Sequence, residues 1–220
     1  MARFLIVLSF LASNTLLAQF EGIVESTNTT TDETGAVQRY VMTVWVKGAM
    51  ARVSSTGNTS SPASTMIYRN DLKTIWMVND EDKTYSEIVQ GDDSGEPMSQ
   101  GIDKPRIRRT GKTKKVLGYK CEQVLISQGE SETEIWGTKA LASLSSAMAK
   151  ALGDEPASQE AGWPDEVMRL GLFPLLASTR IEGHVIESQE VVRIEPKKLQ
   201  KDLFTVPQDY KKQTIESLMK

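Results

Sequence analysis

Few residues in this chain are suited to nucleophilic or metal-dependent catalysis. It contains one histidine, His184, and one cysteine, Cys121. A Cys–His dyad also needs an exposed thiol and a third, orienting group, whereas Cys121 lies in an alternating apolar stretch typical of a buried strand. A single histidine excludes a metal site with several histidine ligands. We therefore predict no catalytic residue, no metal and no cofactor, with an unrecognised hydrolase as the remaining alternative.

Other recognisable catalytic patterns are absent from the sequence. It has no Gly-x-Ser-x-Gly nucleophile turn, no phosphate-binding Walker loop, no His-Glu-x-x-His and no dinucleotide fingerprint. The acidic clusters at 80–82 and 92–96 lack the ligand spacing of a calcium loop. We interpret both clusters as solvated turns and predict that the protein is not an enzyme.

The sharpest charge feature is a run of seven basic residues, without an acidic one, between positions 104 and 115. Its members are Lys104, Arg106, Arg108, Arg109, Lys112, Lys114 and Lys115. One interpretation is a patch that contacts anionic head groups or an acidic partner, with Arg106, Arg108, Arg109 and Lys112 as candidate contacts. The other is a solvent-exposed edge hairpin, whose charges discourage aggregation between strands.

An apolar stripe with helical spacing follows the predicted strand 131–136. Leu141, Leu144, Met148 and Leu152 recur at intervals of three and four residues, which predicts an amphipathic helix with Thr138 as N-cap and Gly153 as its stop. This stripe is either ordinary core or the lining of an apolar cavity. In the second case Trp45, Trp76 and neighbouring sheet residues form the opposite wall.

These residues must be positioned by short strands, because most of the chain shows apolar alternation separated by turn residues. We predict an antiparallel meander, a helical insertion and further strands. The predicted strands are 20–26, 38–47, 50–55, 65–69, 74–79, 83–89, 106–110, 112–116, 119–127, 131–136, 179–188 and 190–195. This order indicates an α+β fold in which helices cover one face of an extended, curved antiparallel sheet.

The N-terminus has the three parts of a cleavable signal peptide. Arg3 supplies the positive charge, residues 4–12 form an apolar core, and residues 13–18 end in the small residue Ala18. The apolar stretch is short for a membrane-spanning helix, and no cysteine stands at the cleavage point for lipidation. We predict a signal peptide over 1–18 and a single periplasmic or secreted domain over 19–220. The net charge of −3 makes nucleic acid an unexpected partner.

Three blocks resemble the exported bacterial proteins grouped as domain of unknown function 4412. They are 110–126, which contains Gly-Tyr-Lys-Cys121, then 134–141 with Trp136-Gly-Thr-Lys, and 203–212 with Phe204-Thr-Val-Pro-Gln-Asp-Tyr. Asp209 stands where the family pattern has glycine, which affects the local turn. The resemblance implies a layout similar to the periplasmic lipoprotein carriers, which have an unclosed half-barrel with helices in its concave face. It transfers no functional residue.

Two functional hypotheses follow. In the first, the protein is a non-enzymatic carrier that holds a lipid or another apolar ligand between the helix stripe and a sheet wall containing Trp45 and Trp76. In the second, it is an interaction module that docks on another envelope protein through its outer surface, including the basic hairpin. The fold analogy supports the first hypothesis without fixing the function.

Overall fold

The computed structural model describes residues 20–57, 64–89, 105–152, 167 and 169–214. Within these ranges, twelve strands form a single sheet. The strands are β1 (Glu21–Thr31), β2 (Val37–Lys47), β3 (Met50–Gly57), β4 (Ser64–Arg69), β5 (Thr74–Asn79), β6 (Thr84–Val89), β7 (Arg106–Val116), β8 (Tyr119–Gln128), β9 (Ser131–Thr138), β10 (Phe173–Ile181), β11 (His184–Pro196) and β12 (Lys211–Lys212). The predicted signal peptide over 1–18 lies outside the described residues.

The strands are arranged in the order β12-β6-β5-β4-β3-β2-β1-β11-β10-β9-β8-β7. Two antiparallel meanders therefore meet where β1 pairs with β11, and the short β12 pairs with β6 in parallel. The sheet stays unclosed, with β7 at one end of the order and β12 at the other. This confirms the α+β class and the large, mainly antiparallel, unclosed sheet.

One helix, α1 (Ala142–Leu152), follows β9 after a 3₁₀ turn at Lys139–Leu141. The Thr138 hydroxyl accepts a hydrogen bond from the amide of Ala140 at 3.3 Å. The residue predicted as N-cap therefore caps the 3₁₀ turn, and α1 itself begins at Ala142. No helix in the described part of the chain is long and apolar enough to cross a membrane.

Several predicted strand boundaries are wrong, and two of them lie at glycines. The break expected at Gly111 is a bulge within the continuous strand β7, since the pairing with β8 shifts between Arg109 and Thr113 and Gly111 has a φ of 76°. The predicted strand 179–188 is divided by a tight turn at Glu182 and Gly183, both with positive φ. Two such residues suit the two-residue hairpin that joins β10 and β11.

Strand alternation divides the core between the two faces of the sheet. Even-numbered residues of β1 and β2, including Val24, Val44 and Val46, pack in one cluster with α1. Odd-numbered residues, including Ile23 and Trp45, pack in another cluster with the segment 199–210. We call these the helix face and the opposite face, and we call residues 197–212 the C-terminal segment.

The C-terminal segment covers the opposite face over the first meander. The side chain of Phe204 has no exposure and packs with Ile67 and Val78. The guanidinium groups of Arg52 and Arg69 donate to the carbonyls of Leu203 and Phe204, both at 3.4 Å. Burial and side-chain hydrogen bonds together fix the segment on the sheet.

Glu21 connects the first strand to the C-terminal segment. Its carboxylate accepts from the amide of Leu199 at 2.6 Å and from the Lys47 ammonium at 2.7 Å. The Lys47 ammonium also donates to the carbonyl of Leu199 at 2.6 Å. The hydrogen bond from Leu199, followed by that from Lys47, lowers the pKa of Glu21 below its ordinary value of 4.5.

Acidification is expected to weaken this connection. A lowered pKa in the folded state stabilises the protein above pH 4.5, and this contribution is lost as the pH falls through the lowered folded value. We expect Glu21→Gln to flatten the dependence of unfolding free energy on pH between about 5 and 3, as measured by urea denaturation. Glu81→Gln, in an exposed turn, is the control. Equal pH profiles for Glu21→Gln and the wild type would contradict the prediction.

Candidate binding sites on the two faces of the sheet

On the helix face, α1 packs directly onto the sheet. Leu144, Ala147 and Ala151 have no exposure, and the helix contacts β2, β3, β4 and β10. The small side chains of Ala147 and Ala151 allow a close approach to Ala51 and the valines of β2 in the same cluster. The centre of this interface is therefore packed core.

In the described part of the chain, ten partly buried apolar side chains pack against this cluster, and we call the five that lie on β2, β3, β4 and α1 the apolar rim. It consists of Met42 on β2, Val53 on β3, Tyr68 on β4, and Met148 and Leu152 on α1. The side-chain amide of Asn70, after β4, donates to the carbonyl of Lys150 at 2.9 Å and ties the end of α1 to the β4–β5 turn. The rim is thus apolar, accessible and held by hydrogen-bonded elements.

The structure divides the six residues predicted to line one apolar cavity. Leu141 and Leu144 are buried, and Met148 and Leu152 belong to the rim. Trp45 and Trp76, however, pack with the cluster on the opposite face. The expectation that they face α1 is corrected, because Trp45 alternates with Val44 and Val46 and so points to the other side of β2.

The chain itself occupies the surface formed by these tryptophans. Trp45 and Trp76 pack against a cluster that contains Phe204 and Leu199. The Arg69 guanidinium lies 5.9 Å from the ring centroid of Trp76, within the range of a cation–π contact. The sequence predicts that a ligand covers these tryptophans. In the structure the C-terminal segment covers them.

The basic run forms most of strand β7 at one end of the sheet order. Arg106, Arg108, Arg109 and Lys112 are all exposed, while Lys104 lies outside the described residues. The bulge around Gly111 and the row of charges are features that discourage edge-to-edge pairing of sheets. They also leave four cations available to an acidic partner.

Cys121 and His184 lie too far apart to form a catalytic dyad. They are on β8 and β11, which are separated by β9 and β10 in the sheet. The thiol has no exposure, and His184 is exposed at the start of its strand. Burial raises the pKa of the Cys121 thiol above its ordinary value.

The native protein is expected to resist thiol modification. The thiolate is the reactive form, and both the raised pKa and the lack of exposure limit its formation and access. We expect a disulfide reagent at about pH 8 to label Cys121 at least tenfold more slowly in the native protein than in urea, as followed by mass spectrometry. Equal rates would show that the thiol is accessible.

A polar groove of about 300 Å³ is lined by Thr27, Thr29 and Arg39 among others, which share the opposite face with Ile23 and Trp45 by the register of β1 and β2. One row of its lining crosses the sheet from Arg39 on β2 through Thr29, Ser188 and Ser178 to Glu134 on β9. A parallel row contains Thr27, Glu190, Leu176 and Trp136. Lys114 and Arg180 complete its charged lining.

The β9 end of this groove is already ordered by polar contacts. The Trp136 indole N–H donates to Glu134 Oε1 at 2.7 Å, and Arg180 Nη1 lies 3.6 Å from Glu134 Oε2. The Lys114 ammonium lies 4.2 Å from the Trp136 ring centroid. Burial acts to raise the pKa of Glu134, but hydrogen bonds from Trp136 and Gln123 and the nearby cations outweigh it and leave the pKa lowered.

Sequence reasoning missed this groove. Its signal is a polar or aromatic residue at every second position, as in Glu134 with Trp136, or Ser188 with Glu190. The same alternation is typical of any solvent-facing strand. Only the pairing of β1 with β11 brings the two halves of the lining together.

No curated protein matches the sequence, but solved structures have similar folds. An uncharacterized conserved protein from Thermus thermophilus has 14% identity and a TM-score of 0.52, covering 88% of this chain and 91% of its own. A LolA superfamily protein from Nitrosomonas europaea has 9% identity and a TM-score of 0.38, with coverage of 86% and 91%. MucB in complex with MucA(peri) has 10% identity and a TM-score of 0.40, with coverage of 86% and 56%.

The first of these structures supports a shared fold alone, and the lower TM-scores of the other two carry no further argument. The model of one protein family, described as domain of unknown function DUF4412, matches residues 20–210. This span includes nearly all of the three sequence blocks that resemble the family. The chain therefore belongs to the DUF4412 family.

Proposed function

We propose that the protein is an exported, non-enzymatic binding protein that holds a lipid or another apolar ligand on the helix face. Residues 1–18 are the cleavable signal in this proposal, and 19–220 form one periplasmic or secreted domain. In this proposal the sheet curves around α1, which lies on its concave side. The observation that carries the proposal is the apolar rim, whose five side chains remain partly exposed around a packed centre.

The composition of the rim suits a flexible apolar ligand. Met42 and Met148 have unbranched, polarizable side chains that adapt to ligands of different shape. Tyr68 adds an aromatic surface with a polar tip, and its hydroxyl lies 3.3 Å from the sulfur of Met66. The tie between Asn70 and Lys150 keeps the helix end in place while the side chains of the rim adjust.

Native mass spectrometry of the protein purified from its own cells tests this proposal. We expect an added mass that organic extraction identifies as a lipid, and we expect Met148→Asp to remove it while the thermal melting curve stays cooperative. Ile181→Asp, at an exposed apolar position on β10, is the matched control. Protein without bound lipid, or lipid retained equally by both variants, would overturn the proposal.

A second candidate function is docking of an acidic envelope protein on β7. It is favoured by the position of Arg106, Arg108 and Arg109 on a terminal strand of the sheet order. Replacing all three with Glu should abolish capture of the partner in a pull-down. The triple change of Lys139, Lys150 and Lys201 to Glu, also at exposed positions, should retain it. If the β7 variant captures the same proteins as the wild type, this function is excluded.

A further inference from the structure

The groove on the opposite face is built differently from the apolar rim. It crosses strands β2, β1, β11, β10 and β9 in one row of side chains. Four steps between neighbouring strands, each about 4.8 Å, place the Cα atoms of Arg39 and Glu134 about 19 Å apart. A ligand lying across the strands must therefore be elongated to reach both ends.

The floor of the groove offers many hydroxyl groups. Thr27, Thr29, Ser178 and Ser188 come from three adjacent strands, and each hydroxyl both donates and accepts hydrogen bonds. Trp136 and Leu176 add apolar surface in the second row. Repeated hydroxyls beside an aromatic side chain match a ligand that alternates hydroxyl and C–H surfaces, which is the chemistry of a sugar chain.

The charged side chains of the groove favour a sugar chain over a simple anion as the ligand. Three cations, Arg39, Lys114 and Arg180, accompany the two carboxylates of Glu134 and Glu190. The carboxylates oppose a bare anion but accept hydrogen bonds from sugar hydroxyls. Glu134 is also partly neutralised by Arg180 at 3.6 Å.

An acidic group on the ligand is best placed at the β2 end. Arg39 lies there, four strands away from Glu134, and the lining carries one more cation than anions. A guanidinium recognises a carboxylate through paired hydrogen bonds. The charge distribution of the groove therefore favours a sugar chain that carries a carboxylate.

We propose that this groove is a second binding site, which takes a short acidic oligosaccharide laid across the strands. One sugar lies against Trp136 and Leu176, its hydroxyls donate to Glu134 and Glu190, and a carboxylate pairs with Arg39. On β1 and β2 the site lies on the side away from the apolar rim, while Trp136 at its β9 end also packs against the cluster that contains α1. Its occupancy is tested independently of the lipid-binding proposal.

Isothermal titration calorimetry with trigalacturonate as probe tests the site. We expect binding at least tenfold tighter than that of neutral maltotriose and weakened by added salt, because an ion pair forms at Arg39. Inorganic phosphate should not compete. No heat with trigalacturonate would overturn the proposal. Equal affinity for maltotriose would overturn the proposal that the groove selects an acidic sugar chain. Displacement of trigalacturonate by phosphate would overturn the proposal that the groove recognises a sugar, because it would then bind anions in general.

Variants locate the binding in the groove. Arg39→Gln and Trp136→Ala should each weaken trigalacturonate binding by about tenfold, whereas Arg106→Gln on β7 should leave it unchanged. Thr29→Val keeps the side-chain shape, removes one floor hydroxyl and should weaken binding severalfold even if Trp136→Ala fails to fold. Affinity unchanged in both Arg39→Gln and Thr29→Val would overturn the assignment.

Discussion

Replacing Phe204 with Ala is expected to lower the free energy of unfolding by about 3–5 kcal/mol. The phenyl ring has no exposure and fills a space beside Ile67 and Val78, so its removal leaves a cavity and loses its transfer free energy. The backbone carbonyl of Phe204, which accepts from Arg69, is retained in the variant, so the loss of stability reports the buried ring. Denaturation by guanidinium chloride, followed by tryptophan fluorescence, measures the loss.

Leu203→Ala is the matched control for Phe204→Ala. Leu203 is the adjacent residue and is partly exposed, so its truncation removes less buried surface and should cost less. A loss below about 1 kcal/mol for Phe204→Ala would show that the C-terminal segment does not unfold together with the sheet. In that case Trp45 and Trp76 would be accessible to a ligand after all.

Leu144→Ala is expected to cost about 2–5 kcal/mol. Leu144 is fully buried where α1 packs on the helix face, in the same cluster as Val44 and Val46. Its loss leaves a cavity at the centre of the interface between helix and sheet. Urea denaturation measures the change in stability, and hydrogen exchange should show faster exchange of the α1 amides.

Leu152→Ala provides the comparison, since this residue belongs to the partly exposed apolar rim. We expect a smaller loss of stability together with weaker retention of an apolar ligand. By contrast, Leu144→Ala should mainly lower the stability of the protein. The same cost for both leucines would contradict the distinction between packed centre and accessible rim.

Local sequence patterns predict most strands and the helix. The alternation over 74–79 corresponds to β5, and the apolar spacing after Thr138 corresponds to α1. By contrast, residues 27–31 are rich in Thr and Asn, which predicts a turn, yet they continue β1. Hydrogen bonding to β2 on one side and β11 on the other keeps this stretch extended, which overrides its local preference.

The candidate sites are less predictable. Alternation along a strand shows which residues share a face, but it does not show what covers that face. Alternation separates Trp45 from Val44, but the packing of α1 on one side and the C-terminal segment on the other is tertiary information. The groove also combines β1 and β2 with β9, β10 and β11. No local signal predicts the pairing of Thr29 with Ser188.

The central position of β1 has a consequence for the timing of folding. This first strand pairs on one side with β2 and on the other with β11, and its Glu21 holds Leu199. Synthesis delivers these partners far apart in time, and contacts of such long sequence separation form slowly. Under the proposed export, a precursor whose last strands are still in the ribosome cannot complete its sheet. The strand order thus delays completion of the sheet until the residues of β11 have emerged.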